Sequence, residues 1–481
     1  MTRRRKLRTL AGGFAVLLVA GGTCSKGPDP QLAGKIDHVI VIMQENRSFD
    51  SYFGTFPGAD GIPMGPDGTP RVCVPNGRLG TCVAPFHDPK DSNLGGPHDL
   101  DDALQDIANG HMTGFVDNAY DQPLGLLNGA KGVAGQLRAS FCSANPTRPV
   151  CAHPDLMGWH DARELPNYWT YAKDFVLQDH MFEPNFGPSE PAHLYMVSGW
   201  SAYCRNPEDP ASCVTNLTVP DKESVRSTST RADFGWTDLT YLLHKAGVDW
   251  AYYTDPSKGA DCDRFGAICG PDQSIVGTPH IWNPLPDFVD VHDDNQTDHI
   301  KPVSDFFRAL KDGTLPQVVW VVPNAKNSEH PPALISDGQA WVTSLVNAVG
   351  HSSAWDTSAI FVTWDDWGGF YDNVVPPATR DGLGYSVRVP GLMISPYARK
   401  GYIDHQTLSF DAYLKLIEDR FLGGQRLDPE KDGRWDPRPS VRENEPILGN
   451  LIDEFDLSQP PRPPPILPTR PPPGPASVPG G

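Results

Sequence analysis

The run HVIVIMQENRSFDSYFG, His38–Gly54, constrains this chain more than any other segment. Val39, Ile40, Val41 and Ile42 are an unbroken apolar stretch. They read as a strand, His38–Met43, buried on both faces, the pattern of a parallel α/β sheet. The strand stops abruptly at Gln44-Glu45-Asn46-Arg47. Ligands in such sheets sit outside the carboxyl ends of the strands. A carboxylate, an amide and a guanidinium are thus delivered where a site is expected. A plain polar strand-to-loop transition would look the same, and three further segments of the same design decide between the two readings.

The first is AIFVTWDDWGGFYD, Ala359–Asp372, where a strand runs into Asp365 and Asp366. Adjacent carboxylates at a strand end repel unless a cation or donors neutralise them. A solvated acidic turn is the plainer explanation. Trp364 and Trp367 flank the pair, however, and imply an enclosed site that favours a metal. The second is VVWVVPNAKNSEHP, Val318–Pro331, a buried strand whose loop carries Glu329 and His330. His330 is a candidate metal ligand, phosphate donor or general acid. The third is FGPSEPAHLYMVSG, Phe186–Gly199. Ser189 precedes Pro191, and Pro favours the first turn of a helix. Ser189 is therefore at or near an N-cap, either as a cap alone or as a nucleophile at the positive end of the helix. His98, Asp99, His160, His280 and the pair Asp404-His405 complete the loop-borne titratable groups.

Strands are expected at His38–Met43, Asp174–Leu177, Asp249–Tyr253, Val318–Val322, Ala359–Thr363 and Gly391–Ile394. Helices are expected at Pro191–Ser198, Thr237–Ala246, Pro302–Asp312, Ser336–Val349 and Ser409–Phe421. Their alternation argues for an α/β fold with a mainly parallel central sheet flanked by helices. One large catalytic domain, 35–457, accommodates turn-rich insertions at Thr55–Gly96, Asn206–Thr230 and Asp255–Gly277. The tail, 458–481, contains PPRPPPILPTRPPPGP and is expected to be extended or disordered.

The N-terminus reads as an export signal, residues 1–24. Arg3, Arg4, Arg5, Lys6 and Arg8 form a basic region, and Leu10–Ala20 is apolar but too short to span a bilayer. Removing those five cations takes the formal net charge from −19 to about −24, which opposes nucleic-acid binding. Nine cysteines fit an oxidising compartment. Eight fall into neighbours that are simplest paired locally, Cys73/Cys82, Cys142/Cys151, Cys204/Cys213 and Cys262/Cys269. Such short loops stiffen insertions more than they hold the core. Cys24 is left over. It either carries a lipid that anchors the chain to a membrane or leaves with the signal.

Taken together, MQENRSFDSYFGT (Met43–Thr55), LPQVVWVVPNAKNSEHPP, FVTWDDWGGFYDNVVPP and RVPGLMISPYARKGYI resemble the bacterial phosphoesterase family of non-haemolytic phospholipases C and similar acid phosphatases. The resemblance covers roughly Ile36 to Phe421. It implies an alkaline-phosphatase-like fold and a hydrolase acting on a phosphate ester or phospholipid through a divalent metal ion. Glu45, Asn46, Asp365 and Asp366 match its metal residues, Ser189 its nucleophile and His330 its SEHP histidine. His98 and His280 match family histidines across loosely aligned insertions. The chain departs from the phospholipase branch in having Ser at the nucleophile, Asp-Asp at the paired acids and a proline tail. These departures lean towards the acid-phosphatase side.

A surface lipoprotein that binds ligands without catalysis is the competing class. A scaffold without catalysis has no reason to keep Glu45, Asn46, Ser189, Asp365 and Asp366 together. If Cys24 is lipidated, the exported protein partitions into detergent and Cys24→Ser releases it. Recovery of wild type as soluble protein lacking Cys24 would exclude the anchor.

Overall fold

In the computed structural model, the described residues are 32–77, 80–121, 154–218, 232–255, 278, 280–432 and 434–478. The expected export signal, Cys24 and the pairs Cys142/Cys151 and Cys262/Cys269 lie outside them. The bridges Cys73–Cys82 and Cys204–Cys213 form as expected, each closing a short antiparallel ribbon.

The core is one eight-stranded sheet. Its strands are β1 (His38–Gln44), β2 (Val176–Gln178), β3 (Trp250–Thr254), β4 (Ile300–Pro302), β5 (Val318–Val321), β6 (Ser358–Trp364), β7 (Gly391–Ile394) and β8 (Tyr402–Asp404). The order across the sheet is β4-β3-β5-β1-β6-β7-β2-β8. Every pairing is parallel except the two made by β7. β1, β5 and β6 are Val- and Ile-rich and buried on both faces, so no alternation survives in them. Each fully buried Val or Ile contributes about 1.5–3 kcal/mol, and the middle of the sheet is where the apolar runs are densest.

Helices cover the sheet: α1 (Pro166–Asp174), α2 (Ser189–Ser198), α3 (Leu239–Ala246), α4 (Val303–Asp312), α5 (Ile335–Gly350) and α6 (Phe410–Phe421). Most elements agree with expectation to within two residues. The strand expected over Asp174–Leu177 is corrected to Val176–Gln178, because α1 runs through Asp174. Pro166 opens that helix, and Tyr168, Trp169, Tyr171 and Ala172 bury one face of it. α2 has no polar side: all ten of its residues are buried.

The first insertion packs with residues that follow it in the chain. Val74, Val83, Met112, Phe115, Val116, Leu156 and Met157 form a satellite core with Trp367, Phe370 and Tyr371. It lies over the turn that follows β6. A buried guanidinium ties the same region to the sheet. Arg388 donates Nε to Asp372 Oδ1 (2.9 Å) and Nη2 to Asp50 Oδ1 (3.3 Å). Its Nη1 reaches the carbonyls of Asp60 and Asp179, both at 2.7 Å.

The tail corrects the expectation of disorder. Residues 458–478 run extended across the helices and find donors for their carbonyls. Trp355 Nε1 donates to Arg462 O (2.8 Å), Asn347 Nδ2 to Leu467 O (2.7 Å) and Asn167 Nδ2 to Pro468 O (2.8 Å). Arg462 caps Asp174 O and Ala398 O and stacks on Phe175, and Ser477 donates to Asp161. Proline blocks helix and ladder, yet it leaves carbonyls free and limits the entropy lost on docking. Composition alone cannot reveal partners on other segments.

Two stability outcomes follow. Arg388→Met leaves Asp50 and Asp372 buried without their cation and destabilises by about 3–5 kcal/mol, measured by chemical denaturation. Deletion of residues 459–481 removes several hydrogen bonds worth about 1 kcal/mol each and lowers the melting temperature. An unchanged melting temperature would show that the docked tail adds no stability.

Candidate active site

The site is built where β1 and β6 end. Their parallel register places Gln44 opposite Trp364, and Asp365 N donates to Gln44 O (2.9 Å). The next residues, Glu45, Asn46, Asp365 and Asp366, therefore leave the sheet side by side, and all four are fully buried. Asn46 takes a left-handed conformation, φ 57°, which Asn tolerates better than most residues. Its backbone N–H donates to Asp365 Oδ1 (2.8 Å). Its side-chain Nδ2 donates to Asp366 Oδ1 (3.0 Å) and faces His98 Nε2 at 3.0 Å.

The turn after Asp366 needs its two glycines. Gly368 has φ +60°, and a Cβ there would meet Asn46 Cβ at 2.8 Å. Gly369 has φ +70°, and a Cβ would strike the Gly96 backbone at 2.4 Å. This contact brings the loop of His98 against the acidic pair. Gly96 O also accepts a hydrogen bond from His98 Nδ1 (2.9 Å), which orients the ring. Trp367 Nε1 donates to Asp106 Oδ2 (2.9 Å) and pins the turn to the satellite core.

Ser189 is the first residue of α2, not its cap; Pro188 holds that position. Its hydroxyl does no capping and donates to Asp366 Oδ2 (3.1 Å). Pro191 has no N–H, so the end of α2 offers fewer donors than a helix start usually does. The serine's orientation is thus set mainly by the carboxylate.

His330 is partly buried. Its Nδ1 is satisfied by Pro331 O (2.8 Å), and its Nε2 is buried without a partner. Its ring centroid lies 6.2 Å from those of both His98 and Trp282. Burial, and then the neighbouring His98, lower its pKa to about 4. His98 moves the other way. Burial opposes its charged form, but Asp366 leads the opposing causes, and the net shift is upward. The structure therefore brings together Glu45, Asn46, Asp365, Asp366, Ser189 and His98, with His330 against His98. His280 opens a one-turn helix, His280–Trp282, which adjoins α2; its side chain lies outside the described residues.

The acids are held against their charge. Burial, and next Asp365, raise Glu45 well above the ordinary carboxylate range. The same two causes raise Asp366 to about 8. The hydrogen bonds divide this cluster. Asp366 spends Oδ1 on Asn46 and Gly368 N, and Oδ2 on Ser189. Glu45 Oε2, Asn46 Oδ1 and Asp365 Oδ2 are buried without a hydrogen-bond partner. Three unpaired oxygen acceptors, two of them carboxylate, fit a divalent cation and fit little else. Donor by donor, Glu45, Asn46 and Asp365 fit a metal directly, while Asp366 is turned to the serine.

Two neighbours, His193 and Glu183, escaped the motif reading. His193 stands one helical turn after Ser189 and places Nε2 3.0 Å from Glu45 Oε1; the i, i+4 spacing was the available signal. Glu183 buries both carboxylate oxygens without a partner and is raised by burial and then by Asp366. Arg47 is stacked on Phe370 and holds Asn46 O (2.7 Å). Glu329, a candidate acid beside His330, is instead caged. It accepts from Tyr168 OH (2.6 Å), Tyr52 OH (2.7 Å) and Trp364 Nε1 (3.0 Å). His160 and His405 are engaged elsewhere, with Asn93 and Asp179.

Comparison with known proteins shows which family the chain belongs to. The model of the Phosphoesterase family matches residues 36–422. Phospholipase C B of Mycobacterium tuberculosis (strain ATCC 25618 / H37Rv) is 27% identical over 96% of this chain and 87% of its own length. Non-hemolytic phospholipase C of Burkholderia pseudomallei (strain K96243) is 26% identical over 88% of this chain and 59% of its own. Among solved structures, a protein in the alkaline phosphatase superfamily from Vibrio parahaemolyticus overlaps 56% of this chain and 62% of its own, at 16% identity and a TM-score of 0.30. No helix among the described residues is long and apolar enough to cross a membrane. The chain belongs to the Phosphoesterase family and is a hydrolase of phosphoric esters.

Proposed function

We infer that the chain is an exported, metal-dependent phosphoesterase that works through Ser189. The observation that carries this reading is the hydrogen bond from Ser189 Oγ to Asp366 Oδ2 beside three unpaired oxygen acceptors. A serine at a helix start is ordinary. A buried serine aimed at a carboxylate of raised proton affinity, next to a cation-ready pocket, is not.

In this reading Ser189 attacks phosphorus as its proton passes to Asp366 Oδ2, and the ester P–O bond breaks as the Ser189 Oγ–P bond forms. A histidine on the far side, His98 or His330, gives a proton to the departing alcohol. His98 holds its proton more tightly and is the better-charged donor, whereas neutral His330 suits the reverse step. There it takes a proton from water, whose oxygen bonds phosphorus as the Ser189 Oγ–P bond breaks; Asp366 returns its proton to Ser189 Oγ, and His330 releases a proton to solvent as His98 regains one. A divalent ion held by Glu45, Asn46 and Asp365 would neutralise phosphate charge and favour the alkoxide. The chain's own contribution is position. Burial of the acids, the Asn46–His98 contact and the start of α2 set the geometry before substrate arrives.

The substrate is proposed as a phosphodiester of a phospholipid, with a phosphomonoester as the alternative. The relatives are named phospholipases C, while Ser189 and the Asp-Asp pair departed from the phospholipase pattern. Export rests on the N-terminal signal and on disulfides that form in the fold. Hydrolysis of a phosphocholine diester and of a phosphomonoester, assayed side by side, separates the two.

Ser189→Ala retains fold and metal and loses turnover by ~10³-fold or more. Acid quenching of wild type during turnover traps phosphate on Ser189 from a monoester, or a phosphorylated head group from a diester. Near-wild-type activity in Ser189→Ala would exclude covalent catalysis and leave direct attack by water.

A further inference from the structure

The resemblance that framed the metal residues contains only oxygen ligands, yet the free acceptors in the pocket face a nitrogen. Ligand atoms of Glu45, His193 and Asp365 all lie within 4.8 Å of one another, and the three residues are buried. Glu45 Oε2 and Asp365 Oδ2 have no partner, so this triangle is where uncompensated charge is concentrated. Asp366 is not part of it, because both its oxygens accept hydrogen bonds already. α2 explains why a nitrogen is present. Ser189 and His193 are four residues apart on a helix and share a face. Ser189 reaches Asp366, and one turn later His193 reaches Glu45.

We propose that His193 is a direct ligand of the catalytic cation, through Nε2, and that the site therefore takes a first-row transition ion such as Zn²⁺ or Co²⁺ in preference to Mg²⁺ or Ca²⁺. The inference rests on the metal reading above and deepens it. Three features support ligation over a merely structural hydrogen bond. The ring is wholly buried, with its ligand atom within 4.8 Å of those of Glu45 and Asp365. Among the described residues, its only hydrogen-bond partner is a carboxylate that itself has a spare oxygen. Imidazole with two carboxylates is a donor set that Zn²⁺ accepts readily, while hard Mg²⁺ and Ca²⁺ seek all-oxygen shells. Asn46 Oδ1 is the neutral oxygen available to complete it.

The experiment uses the full exported chain, stripped with a chelator and reloaded separately with Co²⁺, Zn²⁺ and Mg²⁺. Binding is followed by calorimetry and by the visible absorption of bound Co²⁺. Wild type is expected to prefer Zn²⁺ and Co²⁺ to Mg²⁺ and to give the intense Co²⁺ spectrum of a low-coordinate site with a nitrogen ligand. His193→Gln keeps a donor for Glu45 but is a poor metal ligand. It should lose about 10-fold or more in Co²⁺ affinity and change the spectrum, with little effect on Mg²⁺. His98→Gln should leave the spectrum in place, which assigns the nitrogen to His193. An unchanged affinity and spectrum in His193→Gln would overturn the proposal and leave His193 as a positioning residue for Glu45. So would a wild type that binds Mg²⁺ as tightly as Zn²⁺, an outcome that leaves the metal reading intact. A wild type that binds no divalent ion overturns both. Should His193→Gln fail to fold, the wild-type competition and spectrum decide alone, a pale all-oxygen spectrum counting against ligation.

Discussion

The parallel register of β1 against β6 is the constraint on which the site depends. Seven residues of each strand pair, from His38 opposite Ser358 to Gln44 opposite Trp364. Both strands are buried on both faces, so no solvent face allows the pairing to relax. A slip of one residue would reverse which side chains point to which layer. The register makes Glu45 and Asp365 neighbours at the first step beyond the sheet. It also fixes Asn46 N on Asp365 Oδ1. The hydrophobic centre of the sheet thus stabilises an arrangement that electrostatics alone would disperse.

What the sheet imposes, the surroundings answer differently for each acid. Asp50 and Asp372 receive Arg388, fully buried with them. Glu329 receives two tyrosine hydroxyls and an indole N–H. Its pKa still lies near 7, because burial outweighs those donors. Asp366 receives Asn46, Gly368 and Ser189. Among the described residues, Glu45 and Asp365 receive no Lys or Arg cation. The nearest guanidinium in sequence, Arg47, directs Nε to Tyr52 OH and Nη1 to the Asn46 carbonyl, while its Nη2 is buried without a partner. A charge that the protein could have balanced with an adjacent arginine is left over, and a buried uncompensated charge is too costly to be an accident of packing. Residues that would neutralise it are near and are held away.

The sequence made the strand ends legible because buried parallel strands are read as apolar runs, and the polar residues at their ends stand out against them. Glu45, Asn46, Asp365 and Asp366 were found in this way, and the structure joins them at one point. Ser189 was read as a cap or a nucleophile; Pro188 holds the cap position, and the Ser189 hydroxyl instead meets Asp366, 177 residues away. Contacts of that range leave no local pattern. The same holds for the Glu329 cage, whose donors come from Tyr52, Tyr168 and Trp364, and for the tail, whose partners include residues of α1 and α5 as well as Trp355, Ala398 and Asp161. His193 was hidden for another reason. α2 is buried on every side, so it has no polar face on which a functional histidine would look out of place.

The chemistry and the enclosure of the site have separate supports. Chemistry belongs to the strand ends and to α2, which are held by the main core. Enclosure belongs to the first insertion, held by its own small core and by the Cys73–Cys82 bridge. The two meet where Gly96 touches Gly369 and where Trp367 reaches Asp106. His98 sits at this seam: its Nδ1 is bound to the insertion's backbone and its Nε2 to Asn46 on the sheet. A histidine so placed reports the position of the roof to the acids below. The insertion can therefore vary in length around Gly96 and keep the ring in register only while that glycine contact is kept.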